Sequence, residues 1–398
     1  MKILSLHVEG FRSLKSVDWS PGDLNVVIGP NGSGKSNLLR VLELVSASAR
    51  KELATSVRYA GGIRSILWDG QADAIEFGLR TTPVEAELEA QRYALEYRVK
   101  LMPIGRFGAY RIQSERLFND YLVRTGKQEE PFKFLDREKL VAKIFDDENH
   151  AFVAPEDSVL EDETLLSIAA GPFSRNRVLT QFQEQLANWT IYQYLDVSQY
   201  TSIRQPAVTR LEKRIESDGQ NLIGVLHTLY TGDRDFKREI NAAMKAAFGD
   251  DFEELVFPPA ADQQIQLRVR WKSLRREQSA ADLSEGTLRF LFLLTVLAGP
   301  DPPPLVAIDE PETGLHPSML PIVAEYAVDA ARRTQIILTT HSPQFLDAFQ
   351  ETVPMTTVVE WAEGETRLKT VSGDSLDYWL KEYSLGTLYR SGEFEDMT

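Results

Sequence analysis

Residues 29–36 read GPNGSGKS and match the pattern G-x-x-x-x-G-K-[ST] at every fixed position. Glycine permits backbone bends that other residues resist, so successive N–H groups of this stretch can face one point and cradle phosphate groups. Lys35 is then placed to reach the β- and γ-phosphates of a nucleotide, and Ser36 offers its hydroxyl to Mg²⁺. The residues expected to contact the nucleotide are Gly29, Pro30, Asn31, Gly32, Ser33, Gly34, Lys35, Ser36 and Asn37.

The flanks of this stretch have the order that phosphate binding requires. Residues 23–28 (DLNVVI) form a short apolar run that predicts a buried strand. From Lys35 onward, apolar residues recur at helical spacing, which predicts a helix to about Ala49. A strand, a glycine-rich loop and a helix together predict an α/β fold of the P-loop NTPase class, whereas an incidental glycine turn would not need both neighbours.

A second motif supplies carboxylates. Residues 305–310 (LVAIDE) are an apolar strand that ends in two acids. In a P-loop protein the first acid, Asp309, helps to hold Mg²⁺. Glu310 follows by one residue, where it could polarise the attacking water as a general base.

Composition limits the remaining possibilities. The chain has 398 residues, which predicts more than one lobe, and its net charge of −15 gives no global attraction to nucleic acid. It has no cysteine, which excludes disulfides and fits a cytoplasmic location. No apolar run is long enough to span a membrane. Local basic grooves at residues 106–116, 204–214 and 272–276 are candidates for DNA binding, although such residues are more often solvated surface.

The structure of the middle of the chain is predicted from its glycines and prolines, which separate short elements, and from the periodicity of its apolar residues. Strand-like runs at residues 63–68, 74–80, 93–101 and 109–113 indicate an antiparallel sheet, and helical patterns at 179–194 and 221–230 follow. We therefore expect three segments. These are the N-terminal part of an ATPase head with its antiparallel sheet (1–114), a helical insertion or lid (115–250), and the C-terminal part of the head (251–398).

Residues 283–289 (LSEGTLR) resemble the signature motif of ABC ATPases, in the variant found in RecF, SMC and related proteins. Glu285 replaces the first glycine of the usual pair, and Thr287 replaces the glutamine. The resemblance implies a helix start capped by Ser284, with Gly286 allowing close approach, that binds the γ-phosphate held by the opposite subunit. The alternative is an ordinary capped core helix.

Two further stretches agree with this resemblance. EPETGLHP (310–317) resembles the region after the acidic strand in these ATPases, and TTHSP (339–343) matches their switch histidine. His341 would contact the γ-phosphate or the attacking water, whereas a lone histidine is more often structural. Arg12 in GFRSL matches an arginine that flanks the nucleotide, and Gln113 in YRIQSE falls where a metal-binding glutamine is expected, with Gln181 and Gln205 as rivals.

Together these motifs resemble the RecF/SMC-like branch of ABC ATPases, of the AAA family ATPase, AAA_21 type. Residues 203–226 also resemble the lid of that group, and residues 385–394 its tail. About 245 residues without sustained heptads separate the two halves of the head, so we expect no long coiled-coil tether. Residues 342–398 follow the switch histidine, a length below the usual size of a domain, so we expect no built-in Toprim nuclease of the kind that a related family carries.

The resemblance implies that Mg-ATP joins two heads into a homodimer, or a higher oligomer, and that Lys35, Glu310 and His341 support hydrolysis. The leading hypothesis is a switch in DNA repair or anti-phage defence that acts with a separately encoded nuclease or toxin effector and with DNA. An ATP-gated protein-interaction switch that does not bind DNA is the alternative. A transporter's energising subunit is a third, disfavoured by the large middle segment.

Overall fold

The computed structural model describes residues 1–84, 89–105, 107–155, 158–170, 176–261, 263–349, 352–371 and 383–392. Up to residue 189 its helices and strands are β1 (Ile3–Phe11), β2 (Leu14–Trp19), β3 (Leu24–Ile28), α1 (Lys35–Ala49), α2 (Leu53–Tyr59), α3 (Ile63–Ile66), β4 (Ile75–Thr81), α4 (Ala90–Tyr93), β5 (Leu95–Ile104), β6 (Ala109–Asn119), α5 (Tyr121–Arg124), β7 (Phe132–Glu138), β8 (Val141–Asp146), β9 (Ala151–Val153), α6 (Leu165–Ala169) and α7 (Arg177–Ala187).

Beyond residue 189 the elements are β10 (Thr190–Tyr192), β11 (Ala207–Val208), α8 (Leu222–Gly232), α9 (Arg234–Phe248), β12 (Phe252–Val256), β13 (Gln264–Ile265), β14 (Arg268–Trp271), β15 (Gln278–Ser279), α10 (Glu285–Ala298), β16 (Leu305–Asp309), α11 (Leu320–Ala331), β17 (Gln335–Thr340), α12 (Pro343–Leu346), β18 (Met355–Ala362), β19 (Glu365–Val371) and α13 (Leu385–Ser391). Among the helices that the structure describes, none is both long and apolar enough to cross a membrane.

The chain divides into two compact units. The first unit comprises Met1–Gly22, Ile28–Trp189 and Thr357–Thr370, and the second comprises Asp23–Val27, Thr190–Thr356 and Val371–Thr398. In the first unit, eight strands form a sheet in the order β2-β1-β4-β5-β6-β7-β8-β9, with antiparallel pairing between neighbours. Alternate residues of β4 are buried, as expected for a sheet with one face packed on a core.

Helix α1 is held in the first unit by α6 and α7. The hydroxyl of Ser46 donates to the carbonyl of Leu186 at 2.8 Å, and the amide of Gln183 donates to the carbonyl of Ala49 at 2.6 Å. Glu115 on β6 is fully buried and accepts from the backbone N–H groups of Leu165 (2.6 Å) and Leu166 (2.9 Å) at the start of α6. The sheet and the helix that follows the glycine-rich loop are thereby joined through α6.

The antiparallel sheet is larger than we predicted. Strand β6 continues to Asn119, and β7, β8 and β9 lie in the segment expected to be helical. Their charged residues conceal the strand pattern because they pair across strands, as Arg116 does with Asp136 at 3.0 Å. The strand predicted at residues 63–68 is instead α3 followed by a 3₁₀ turn, since a short apolar run does not distinguish the two.

In the second unit, β10, β16 and β17 are parallel neighbours, and β3 follows β17. Every residue of β17 is buried, which is typical of a parallel strand covered on both faces. The strands predicted at LVAIDE and QIILTT are confirmed. The helix predicted at residues 179–194 ends earlier, at Ala187, because the aromatic and β-branched residues of TIY form β10 beside β16.

Two predictions fall partly on residues outside the described ranges. The first is the candidate basic groove at residues 106–116, since Arg106 lies outside the described ranges. The second is the resemblance of residues 385–394 to a family tail, since the described ranges end at residue 392, just after α13.

Candidate functional site

The glycine-rich loop in the first unit follows the end of β3, all five residues of which are buried. Helix α1 then begins at Lys35, whose side chain turns back into the loop. Its Nζ donates to the carbonyl oxygens of Gly29 (2.7 Å) and Pro30 (3.1 Å), and the residue is 5% exposed. The ammonium group is thus held inside the curve of the loop, where the motif requires it.

Two of the loop glycines could not be replaced. Gly29 and Gly34 have φ values of 155° and 113°. A Cβ atom on Gly29 would lie 2.3 Å from the carbonyl oxygen of Val359, and one on Gly34 would lie 2.1 Å from Oγ1 of Thr366. Thr366 Oγ1 also lies 2.7 Å from the carbonyl oxygen of Ser33, so β18 and β19 support the loop from behind.

The rest of the loop fits a phosphate-bearing ligand. Ser33 Oγ is buried and has no hydrogen-bond partner within the described part of the chain, so it is an orphaned polar atom in the cradle. Asn31 and Gly32 are exposed, Gly32 has a φ of 84°, and Ser36 lies in the first turn of α1. The amide of Asn37 donates to Ser13 Oγ at 2.7 Å, which ties the start of α1 to the turn after β1.

Arg12 has a left-handed backbone, with a φ of 48°, and its N–H donates to the carbonyl of Ile66 at 2.8 Å. Its Nε is buried without a partner among the described residues, in a cavity of about 310 Å³ that Arg40 and Tyr59 also line. Burial and the guanidinium of Arg40 lower the pKa of Arg12. Strained backbone positions cluster at functional sites, and the role of Arg12 beside the nucleotide stays a prediction.

Gln113 lies on β6, and its amide donates to Glu138 Oε1 on β7 at 2.8 Å. That side chain is engaged within the antiparallel sheet rather than with the glycine-rich loop. Its predicted role as a metal ligand therefore gains no support from its contacts.

In the second unit, the catalytic candidates meet at the carboxyl ends of β16 and β17, the edge at which ligands bind parallel sheets. Asp309 ends β16 and pairs in register with Thr339, whose hydroxyl donates to Asp309 Oδ1. Glu310 follows with a φ of 47°, and its Oε1 lies 2.9 Å from Nδ1 of His341. Their side chains are 34% and 43% exposed, so the pair is open to water.

Two residues missed by the sequence analysis support this pair. Thr340, at the end of β17, donates its hydroxyl to Glu312 Oε1 and accepts from the N–H of Ser342 at 2.9 Å, so it braces the turn that carries His341. Burial raises the pKa of Glu312, although the hydroxyl of Thr340 favours its ionised form. The paired threonines before His341 were visible in the sequence, but only the strand register shows which carboxylates they meet.

The signature helix α10 begins as predicted. Ser284 caps it, with Oγ accepting from the N–H of Thr287 at 3.1 Å. A Cβ atom on Gly286 would lie 2.6 Å from the carbonyl oxygen of Gly314, so Gly286 allows close packing against the loop after β16 of its own chain. The buried Arg204 holds the preceding segment and donates to the carbonyl of Leu283 at 2.7 Å.

Gln193 is a further residue that the sequence analysis missed. It directly follows β10, whose Tyr192 pairs in register with Ile308 of β16. With Arg289, Asp309 and Glu310 it lines a cavity of about 180 Å³. The signal was a glutamine immediately after a β-rich run, and Gln193 is a glutamine that lies beside the acidic strand end.

The model of the AAA_21 family, described as "AAA domain, putative AbiEii toxin, Type IV TA system", matches residues 24–347. The chain is 31% identical over 121 residues to the cytochrome c biogenesis ATP-binding export protein CcmA 2 of Cupriavidus metallidurans, a match that covers 27% of this chain and 53% of that protein. It is 30% identical over 100 residues to the DNA replication and repair protein RecF of Anaeromyxobacter dehalogenans, covering 24% and 26% of the two chains. The chain thus spans about half, or less, of these relatives.

Solved structures show the same fold. An Smc head bound to the C-winged helix domain of ScpA aligns over 95% of this chain and 100% of its own, with a TM-score of 0.57 and 15% identity. The Smc head domain with an extended coiled coil, bound to the C-terminal domain of ScpA from Pyrococcus furiosus, aligns over 96% and 98%, with a TM-score of 0.53 and 14% identity. The predicted fold class, an ABC-ATPase-like P-loop head, is confirmed.

Proposed function

The chain belongs to the AAA_21 family and is an ABC-type ATPase of the RecF/SMC class, and we propose that it binds Mg-ATP and hydrolyses it to ADP and phosphate. The observation that carries the hydrolysis proposal is the pairing of Glu310 Oε1 with His341 Nδ1, 2.9 Å apart at the end of the acidic strand. A carboxylate oriented by a histidine and open to water is suited to accept a proton from an attacking water molecule.

The residues of the two motifs and their neighbours have separate parts in this proposal. The loop N–H groups and Lys35 hold the phosphates, and the orphaned Ser33 Oγ provides one further polar contact. Ser36 and Asp309 would hold Mg²⁺, which supplies positive charge at the phosphates. Glu310 takes the proton, His341 keeps its carboxylate in place, and the hydroxyl of Thr339 fixes the Asp309 carboxylate.

We further propose that ATP joins two copies of the chain. The signature helix begins at an exposed turn, where Ser284 is the cap and Glu285 follows it. The N-terminus of a helix is a suitable place for a phosphate to bind. The similarity to Smc heads and to RecF supports assigning this helix start to the nucleotide of the second copy. Closure of the two copies would then complete both sites.

Glu310→Gln tests this proposal. The variant lacks the proton acceptor but keeps the shape of the side chain, so we expect ATP binding to persist while hydrolysis falls by roughly 10²- to 10⁴-fold. The variant should accumulate as a dimer in saturating Mg-ATP, measured by light scattering. Glu325→Gln, at an exposed position on α11, is the matched control and should behave as the unmodified protein.

Lys35→Ala separates binding from catalysis in the same assay. We expect it to lose ATP binding in calorimetry and to remain monomeric. A Glu310→Gln protein that stays monomeric with bound ATP would refute the shared site, and unchanged ATP affinity in Lys35→Ala would refute the role of the glycine-rich loop.

The physiological role has two candidates. RecF is named for DNA replication and repair, and the family description refers to a toxin, so repair or anti-phage defence with a separate nuclease or toxin effector is the first. The charges favour the second, an ATP-gated switch that binds protein and not DNA. Three of the candidate DNA-binding cations are already engaged, as Arg116 pairs with Asp136 at 3.0 Å, Arg214 pairs with Asp301 at 3.0 Å, and Arg204 is buried.

A further inference from the structure

The turn between β7 and β8 has residue types that are unusual for a turn of its length. Glu138 pairs with Val141, so the turn consists of Lys139 and Leu140. Two-residue hairpin turns favour Asn-Gly or Asp-Gly, yet Lys139 here has a φ of 56°. Leu140 is 54% exposed and Val141 is 69% exposed. Local rules are most often broken where a protein binds something, so this turn is a candidate contact surface.

This turn forms one wall of a groove of about 460 Å³. We call it the hairpin groove and define it by Arg111, Ile112, Lys139, Leu140, Val141 and Glu161. The opposite wall is fixed because the N–H of Ile112 donates to the carbonyl of Glu161 at 2.7 Å.

The fully buried Arg137 holds the groove from below. It donates to the carbonyls of Lys139 and Glu163, both at 2.7 Å, and so joins the turn to the opposite wall. Such a groove is formed before any ligand arrives, which lowers the entropic cost of binding.

The charge of the groove is unbalanced. Arg111 Nε is buried without a hydrogen-bond partner, and within the described ranges neither Arg111 nor Lys139 pairs with a carboxylate. Glu138 accepts a hydrogen bond at its Oε1 from the amide of Gln113 at 2.8 Å, and its Oε2 lies 3.6 Å from the guanidinium of Arg116. Among the described residues that line the groove, Glu161 is the remaining carboxylate that could offset the two cations. A buried donor that lacks a partner is costly, so a carboxylate that reached Arg111 would remove that cost.

We propose that the hairpin groove binds a segment of a partner protein that carries a carboxylate next to an apolar side chain. The carboxylate pairs with Arg111, with support from Lys139, and the apolar side chain packs on Leu140 and Val141. Single-stranded nucleic acid fits less well, because its bases stack on aromatic side chains and none of the described residues that line the groove is aromatic. The proposal does not depend on ATP hydrolysis and adds a binding site to the ATPase.

The test is a selection from a random peptide library displayed on phage, with the full chain immobilised as bait. We expect enriched sequences to place Asp or Glu beside Leu, Ile, Met or Phe. One enriched peptide, made synthetically with blocked ends and a fluorophore, then gives an affinity by anisotropy. Arg111→Gln should weaken its binding by roughly tenfold or more, since a charge-assisted hydrogen bond is lost. Lys35→Ala should bind it normally, which separates this site from nucleotide binding.

Exposed variants keep the test valid even if Arg111→Gln does not fold. Lys139→Glu should reject the acidic peptide, and Leu140→Ser should weaken it, whereas Lys143→Gln on β8 outside the groove should leave it unchanged. Enrichment of sequences without carboxylates, or equal binding by all variants, would overturn the proposal. Displacement of the peptide by an oligothymidylate through the same residues would also overturn it, in favour of a nucleic-acid site.

Discussion

Glu312 shows how a single side chain near the Glu310–His341 pair carries a pH-dependent cost. Its carboxyl group is largely buried, its Oε1 accepts from Thr340, and its Oε2 is buried without a partner among the residues described. Because burial raises the pKa of Glu312, the folded protein holds the proton of this group more tightly than the unfolded chain does. The stability that Glu312 contributes is therefore present at low pH and is lost as pH rises through the raised pKa.

Glu312→Gln tests this sign. The amide has a similar shape but no charge, so we expect the variant to gain stability relative to the unmodified protein as pH rises from about 5 to about 8. Urea unfolding at the two pH values measures the difference, and Glu325→Gln serves as the exposed control. A difference that does not change with pH would show that Glu312 is not held in a desolvated state.

At the residue scale, the spacing of residues along the sequence was enough to predict some of the candidate groups. Lys35, Asp309, Glu310 and His341 each follow or end a predicted strand within a short motif. Gln193 and Thr340 were missed because their roles depend on the register of strands that are distant in sequence. Such a register is a property of the folded sheet, so the local signals at these two residues do not show which partners they meet.

At the scale of elements, the start of α10 is a helix end with little room for a larger residue. Gly286→Ala would place a methyl group 2.6 Å from the carbonyl oxygen of Gly314, so the helix or the following loop must shift. We expect a loss of about 1–3 kcal/mol in the free energy of unfolding, together with reduced ATP-dependent dimerisation. Urea unfolding and light scattering measure the two effects.

A matched substitution provides the comparison for this helix end. A methyl group added to Gly232, at the end of α8, would have no described atom within 4 Å, so Gly232→Ala should be neutral or slightly stabilising. Equal effects of the two substitutions would show that close packing at Gly286 has no special importance.

Helices and strands were predicted correctly where the pattern of apolar residues was unambiguous. Strands β3, β16 and β17 and helix α1 have long apolar runs or regular spacing, and they lie where expected. Strands β7 and β8 were missed because cross-strand ion pairs place charged residues, such as Asp136, on the sheet. Tertiary pairing, rather than local preference, decides such strands.

At the scale of the whole molecule, the charge distribution separates the two candidate roles. A chain of net charge −15 needs a concentrated basic surface to bind DNA, yet Arg116, Arg204 and Arg214 are engaged elsewhere. We expect only weak binding to duplex DNA, with a shallow salt dependence and no increase with ATP. Fluorescence anisotropy between roughly 50 and 200 mM salt measures the slope.

A steep salt dependence together with ATP-stimulated affinity would contradict this expectation and would restore DNA as the partner. Arg116→Gln, which breaks an ion pair with Asp136, is an informative companion variant because it should leave the weak binding unchanged.

The backbone of Glu310 has a consequence for how variants of this chain would be selected. With a φ of 47°, this position suits glycine or asparagine better than glutamate, which accepts the conformation at some cost. A mutational scan that selects only for folded protein should therefore enrich Gly and Asn at position 310. A scan that selects for ATP turnover should retain Glu, and the divergence of the two fitness profiles would identify the position without any knowledge of the fold.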